Sequence, residues 1–448
     1  MTTVPDKLPT ITRRAALQTF AVSGIVSLLP SGSTAENVAT PSQVSTVAGA
    51  KLHPWTPGAL DIHHISTGRG NVAFAVCPDG TTILIDAGAL QTAPDWNSDE
   101  KYRISPLPNA SRRPGEWIAR YISRHMPAGR QPEIDYFVLT HLHPDHMGGI
   151  DLLSPKKVTS RLGPYELTGV MDVHEQVPIK TILDRAYPDY NYPVELNDPH
   201  QLNFRKFISS FVHNGGTVER FVPGSSRQIK LRHSSPEAYP TFTVQNLAAN
   251  GKVWTGREDD AIETFPPLKT LAVSDYPTEN KCSVALRLTF GGFRYFSAGD
   301  MDHDTSFARL PWGDIEAAVA RAAGPVDVAI ANHHGYVNAC GPKWVRSLHP
   351  RAFIVSAWDS AHPTIPSLDN MLSQDLYAGP RDIYSTALKR ENIIATKRLK
   401  EIQSGNGHVV VRVPPGGHTF EVAITTNLEE SDTTIGMFGP YITVSLSK

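Results

Sequence analysis

Seven consecutive residues, Thr140-His141-Leu142-His143-Pro144-Asp145-His146, constrain this chain more than anything else in it. Four of them carry imidazole or carboxylate groups, and Gly148-Gly149 follows almost at once. Imidazole and carboxylate are the donors that borderline divalent metals take up. The cluster is too compact for one metal alone: His141 and His143 can point the same way, while Asp145 and His146 turn toward a neighbouring position. The paired glycines let the backbone bend sharply into the next element. Residues 134–139, directly before the cluster, are mostly apolar and read as a buried strand. The cluster therefore sits on a loop at a strand end, where layered α/β folds carry function.

The rest of the chain reads as many short elements. Strand-like runs at 60–66, 72–76 and 82–86 are separated by Gly68-Arg69-Gly70 and Pro78-Asp79-Gly80, the second a strong turn signal. Residues 114–124 place Trp117, Ile118, Tyr121 and Ile122 on one helical face. From 152 to 239 the pattern changes and predicts an insertion. Within it Phe204, Phe207, Ile208, Phe211 and Val212 repeat at helical spacing until Gly215-Gly216 stops them, and Ile179, Ile182, Leu183 and Ala186 mark a shorter helix. Between them runs the aromatic, proline-rich Tyr187-Pro188-Asp189-Tyr190-Asn191-Tyr192-Pro193. This insertion either walls the site and sets substrate choice or is a packing extension. Strands resume at 242–247, 283–290, 293–297, 326–331 and 352–356, and residues 408–413 and 420–424 form a closing hairpin.

The HxHxDH pattern with Gly-Gly behind it resembles the signature of the metallo-β-lactamase superfamily, and further landmarks follow in order over most of residues 55–365. The resemblance implies an α/β chain with the four-layer αββα metallo-β-lactamase fold, here with a helical and aromatic insertion. It also implies two divalent metal ions, zinc first, with manganese or iron as alternatives. Thr82-Ile83-Leu84-Ile85-Asp86-Ala87-Gly88 looks like the early strand ending in Asp-x-Gly, which makes Asp86 a support for the metal loop. Phe296-Ser297-Ala298-Gly299-Asp300 resembles the later strand–Gly-Asp element, whose aspartate bridges both metals. Asn332-His333-His334-Gly335 looks like the terminal histidine motif of one branch, which includes the hydrolase domain of DNA-internalisation competence proteins and the phosphorylcholine esterases. By that resemblance His334 binds metal and His333 faces the substrate. The expected ligands are then His141, His143, Asp145, His146, Asp300 and His334.

Many superfamily members add one more histidine ligand before the Gly-Asp element. Here Asn280-Lys281-Cys282-Ser283 stands instead, resembling the Asn-x-x-Ser of the same branch, and it leaves one metal with fewer protein ligands. Asn280 and Ser283 are accordingly candidates beside the site. His362, followed by Pro363, occupies a place where the competence-like proteins often carry His-Pro; it either touches substrate or is a loop histidine. The adjacent His63 and His64 fall on opposite faces of a strand and read as structural.

Such a site supports hydrolysis by a hydroxide held between two cations about 3.5–4 Å apart. Asp145 would orient the hydroxide, and His333 would stabilise the transition state or protonate the leaving group. A phosphoester or phosphodiester is the first expectation and a lactone or other carboxylic ester or amide the second. A reading of another class is a non-enzymatic binding or uptake-accessory protein on the same scaffold. The 42 basic and 44 acidic residues nearly cancel, so nothing indicates a stable nucleic-acid partner; a small-molecule ester or phosphoester is expected. Cys77, Cys282 and Cys340 are too scattered for a zinc ribbon or a disulfide scaffold.

The amino terminus reads as an address. Thr12-Arg13-Arg14-Ala15-Ala16-Leu17 opens an apolar run of about 15 residues, short of the ~20 that a spanning helix needs. Pro30 ends it, and Ser33-Thr34-Ala35 offers a small-residue cleavage site. This resembles a bacterial twin-arginine export signal. It implies a signal over 1–35 that engages the twin-arginine machinery, a linker over 36–53 and a hydrolase domain over 54–448. The expected location is periplasmic or extracellular, with no transmembrane helix.

Overall fold

The computed structural model describes residues 49–90, 105–152 and 157–444. The expected export signal and most of the linker lie outside them. In chain order the first sheet opens with β1 (Leu60–His64), β2 (Ala73–Val76), β3 (Thr82–Ile85), β4 (Ile134–Val138), β5 (Ile179–Asp184) and β6 (Thr217–Arg220). The second sheet takes β7 (Thr243–Ala249), β8 (Lys252–Trp254), β9 (Ala261–Glu263) and β10 (Ala285–Phe290). It goes on with β11 (Phe293–Ser297), β12 (Val328–Ile330), β13 (Ala352–Val355) and β14 (Asp382–Ser385). The chain then returns to the first sheet as β15 (His408–Val413), β16 (Thr419–Thr425) and β17 (Thr434–Ile442). Strand order is β17-β16-β15-β1-β2-β3-β4-β5-β6 in one sheet and β14-β13-β12-β11-β10-β7-β8-β9 in the other.

Side-chain alternation sorts the apolar residues into layers. Ile83 and Ile85 of β3 and Tyr136 and Val138 of β4 point between the sheets, in one core with Leu286, Tyr295, Val328 and Ile354. Leu84 and Phe137 point the other way, into a core with Ile118 and Ile122 of helix Pro114–His125 and Phe204 and Phe207 of helix Pro199–His213. Outside the second sheet, Phe296, Ala329 and Phe353 share a core with Val319 of helix Ile315–Ala323 and Trp344 of helix Pro342–Leu348. Helix, sheet, sheet, helix is the four-layer αββα arrangement.

The segment 152–239 departs from expectation. Residues 179–184 are strand β5, not helix, and pair in parallel with β4. β5 is buried at five of its six positions, Lys180 excepted, so it lacks the strict alternation of a half-exposed strand, and Ile179, Ile182 and Leu183, with Ala186 just beyond, imitate helical spacing. β6 extends the same sheet, and helix Pro199–His213 covers its outer face, so much of the supposed insertion is built into the first two layers. That helix starts where the sequence says it should: Asp198 caps it through the amides of His200 and Gln201, and Pro199 fills the first turn.

His63 and His64 are both buried in β1, His63 beside Tyr121 and His125 and His64 beside Tyr295. All three cysteines are buried and none forms a disulfide. Among the described residues no helix is long and apolar enough to cross a membrane.

A candidate metal centre at one end of the sandwich

Strands β3 to β6 run parallel, as do β11 to β14, so each set delivers its C-terminal loops to one end. The loops after β3, β4, β11 and β12 meet there. Two glycines permit the approach: a Cβ at Gly88 would overlap the carbonyl oxygen of Asp145, and one at Gly299 would press on Thr140. The glycines of Asp-x-Gly and Gly-Asp are therefore required by the contact between loops.

Asp86 ends β3 and is fully buried. Its Oδ1 accepts the Thr140 amide at 2.8 Å, and its Oδ2 accepts the Thr140 hydroxyl at 2.8 Å and Asn71 Nδ2 at 2.9 Å. The same oxygen lies 2.7 Å from His146 Nδ1, which turns the other nitrogen of that ring toward Asp145 and Asp300. His146 Nε2 lies 3.1 Å from Asp300 Oδ1 and 3.6 Å from Asp145 Oδ2. His334 Nε2 lies 3.1 Å from Asp145 Oδ2 and 3.7 Å from Asp300 Oδ2. On the other side, His141 Nε2 stands 3.1 Å from His143 Nδ1 and 3.7 Å from Asp300 Oδ2.

Two donor groups result, Asp145–His146–Asp300–His334 and His141–His143–Asp300, each with ligand atoms within 4.8 Å of one another. Asp300 belongs to both. Bonds of about 2.0–2.1 Å to a tetrahedral cation place the ligand atoms about 3.4 Å apart, which the separations above match. His146 Nε2, moreover, is buried and makes no well-directed hydrogen bond, its neighbours being the carboxylates of Asp300 and Asp145, a setting that a bound cation satisfies. The residues fit divalent metal.

Electrostatics agree. Burial opposes charge on His146, yet Asp300, Asp86 and Asp145 raise its pKa well above 6.5. His334 is raised despite burial, chiefly by Asp300 and Asp145. His141 goes the other way, lowered by burial and by His146. Both Asp145 and Asp300 resist burial and stay well below the usual carboxylate range, held down first by His146 and then by His334. Protons on His146 and His334 thus balance the carboxylates where cations would.

His333 and His334 both adopt left-handed backbone, φ 46° and 54°, at about 1–2 kcal/mol each. The surroundings enforce it. The His333 amide donates to Gly299 O at 3.1 Å, and His334 Nδ1 contacts Ser356 O at 2.8 Å. Asn332 donates to the buried Glu316 at 3.0 Å. The two rings diverge: His334 enters the four-donor group, while the His333 side chain keeps 20% exposure, with Nε2 3.8 Å from Asp300 Oδ2. Asn338 Oδ1 lies 2.8 Å from His333 Nδ1 and Asn280 Nδ2 lies 3.3 Å from its Nε2. Ser283 Oγ accepts the Asp300 amide at 3.3 Å. His362 is buried and stacks on His334, ring centroids 4.7 Å apart.

Several contributors have no local signature. Glu279 accepts the Leu142 amide at 2.8 Å and pairs with the buried Arg185, bracing the histidine loop; its one sequence hint is its place next to Asn280. Glu316, Asn338, Asn71 and Trp358, whose indole approaches His334 Nε2 at 3.4 Å, carry no motif. His174 and His200 accept backbone amides through Nδ1 and His233 approaches Asp135, none of them in either donor group.

Residues 126–226 match the family model of the metallo-beta-lactamase superfamily, a stretch holding β4, the histidine loop, β5 and β6. The two sheets and flanking helices make the whole described chain a metallo-β-lactamase fold. No curated protein matches this sequence. A proposed metal-dependent hydrolase from Parabacteroides distasonis ATCC 8503 has a solved structure similar to this one at 13% identity and a TM-score of 0.31, covering 76% of this chain and 99% of that one.

Proposed function

We propose that this protein is a metal-dependent hydrolase that binds two divalent cations, zinc first, and cleaves a phosphoester or phosphodiester. The supporting observation is that Asp300 lies against both donor groups, with Oδ1 facing His146 and Oδ2 standing between His141 of one group and His334 of the other. In this reading His141, His143 and Asp300 hold one cation, and Asp145, His146, His334 and Asp300 hold the other. Cations held there supply Lewis-acid stabilisation of charge on substrate oxygen and lower the pKa of water. Asp86 fixes the ring of His146. Asp145 would orient the attacking water from its place in the four-donor group. His333 reaches solvent and is set by Asn338 and Asn280, so it donates to the charge that develops or to the leaving oxygen. His362 supports the His334 ring from behind. The paired arginines before a short apolar run support export by the twin-arginine route, with the enzyme acting outside the cytoplasm.

Metal content of the purified chain, read with hydrolysis of bis(p-nitrophenyl) phosphate, tests the reading. Near two transition metals per chain, with turnover lost in His143→Ala and Asp300→Ala, is the expected result. Two metals without that turnover would move the substrate class to lactones and other esters. A folded chain that takes up no zinc or manganese would remove the hydrolase reading.

A further inference from the structure

A cavity of about 470 Å³ opens between the loop after β5, the end of β6 and strands β8 and β9, within the ~300–1,000 Å³ usual for small-molecule sites. Arg185 and Tyr192 from the loop after β5, Arg220 and Phe221 at the end of β6, Lys252 on β8 and Glu263 on β9 line it. Topology fixes its place. β5 and β6 run parallel to β4, which carries the histidine loop. β7 is antiparallel to β10, and β10 to β11, so β7 delivers its turn into β8 at the same end as β11 delivers Asp300. The cavity therefore lies along the metal-bearing edge of the sandwich, about two strands or roughly 10 Å from the histidine loop. One carboxylate joins the two: Glu279 Oε1 accepts the Leu142 amide of the histidine loop at 2.8 Å and Arg185 Nε of the cavity wall at 2.8 Å.

The lining also selects. Arg185 is neutralised by Glu279, and Arg220 by Asp189 at 2.6 Å. Lys252 and Glu263 face each other across the β8–β9 ladder without an ion pair among the described residues. Lys252, exposed at the mouth of the cavity, is the wall cation that makes no salt bridge among the described residues, and Tyr192 and Phe221 supply aromatic surface. We infer that this cavity is a substrate subsite that receives a flat apolar group carrying an anionic substituent, a part of the substrate that extends from the metal-bearing edge away from the scissile bond. The assignment rests on the hydrolase reading above and names the kind of substrate.

Fluorescence titration of the full chain with 1-naphthalenesulfonate, an aryl anion that binds metals poorly, tests it. Saturable binding is expected, weakened about five- to tenfold in Lys252→Glu, weakened in Tyr192→Ala, tightened in Glu263→Gln and unchanged in His143→Ala. The same compound should inhibit bis(p-nitrophenyl) phosphate hydrolysis competitively in the parent protein. Absence of saturable binding, or binding that survives Lys252→Glu and Tyr192→Ala in proteins with unaltered circular dichroism, would overturn the pocket. Binding with this variant pattern but without competition would overturn its assignment to the substrate. The full binding pattern in a protein that hydrolyses no ester would keep the ligand pocket and sink the hydrolase reading instead.

Discussion

Replacing Asp86 by asparagine asks whether one buried carboxylate sets the geometry of the whole metal loop. Oδ1 of Asp86 serves the Thr140 amide, and Oδ2 serves the Thr140 hydroxyl, Asn71 and His146. An asparagine that keeps its oxygen in the Oδ2 position turns its NH2 group against the Thr140 N–H. One buried donor is then unsatisfied, at about 1–3 kcal/mol. The contact to His146 also loses its charge, and charge-assisted hydrogen bonds are worth about 1.5–3 kcal/mol against about 1 for neutral ones. Together these put the loss of stability of the metal-free protein at roughly 2–4 kcal/mol. Because a neutral acceptor then holds the His146 ring in place of a charged one, zinc affinity should fall about 10–100-fold, the usual cost of weakening such an orienting partner. Urea denaturation of the metal-free protein gives the first quantity, and competition with a chromogenic chelator gives the second. An unchanged zinc affinity would refute the orienting role. If stability alone falls, Asp86 is a brace of the loop and nothing more.

Other perturbations follow from the same geometry. Glu316→Ala removes the acceptor for Asn332 and for the amides of Cys340 and Gly341; it should destabilise the protein by about 3–5 kcal/mol and lower kcat more than it raises KM, read by thermal melts and steady-state kinetics. Zinc uptake should depend on pH in a direction set by the raised pKa values of His146 and His334. Their protonation stabilises the metal-free protein fully below 6.5, the ordinary histidine value, and that stabilisation is lost as pH rises through their higher folded values. Affinity therefore climbs with pH across a window above 6.5 and then levels off, with about two protons released per chain; calorimetry in buffers of different ionisation enthalpy measures them. Phe207→Ala, in the core under helix Pro199–His213, should cost about 3–5 kcal/mol and leave the metal stoichiometry unchanged, which denaturation and elemental analysis check.

The legible part of the site is the part that is local. His141, His143, Asp145 and His146 fall within six positions, and Asp86 and Asp300 each follow an apolar run, Asp86 two residues before a glycine and Asp300 directly after one. Glu279 was invisible because its partner Leu142 lies 137 residues away, and a lone acid in a loop gives no sign that it is buried. Glu316 was hidden in the same way: its place at the start of a helix reads as an ordinary dipole-friendly acid, and only the fold turns it toward Asn332. Most strands of the two sheets were legible from their alternation and turns. β5 was not, since burial on both faces erases the period that separates strand from helix. β17 escaped because Gly436, Gly439 and Pro440 interrupt it, and its place at the sheet edge makes those residues tolerable.

In the first sheet β1 pairs along one edge with β15, which follows far later in the chain, and Asp61 and Arg412 are paired 351 residues apart. At about 5–20 residues per second, roughly 20–70 s of synthesis separate the two. Through that interval one edge of β1 has no partner, and such an edge is a template for pairing with other chains. Strands β1 to β6 can pair among themselves as they emerge from the ribosome, but the other edge of β1 waits for residues 408–413. A product cut short before β15 would expose the β1 edge permanently and aggregate, however complete its histidine loop.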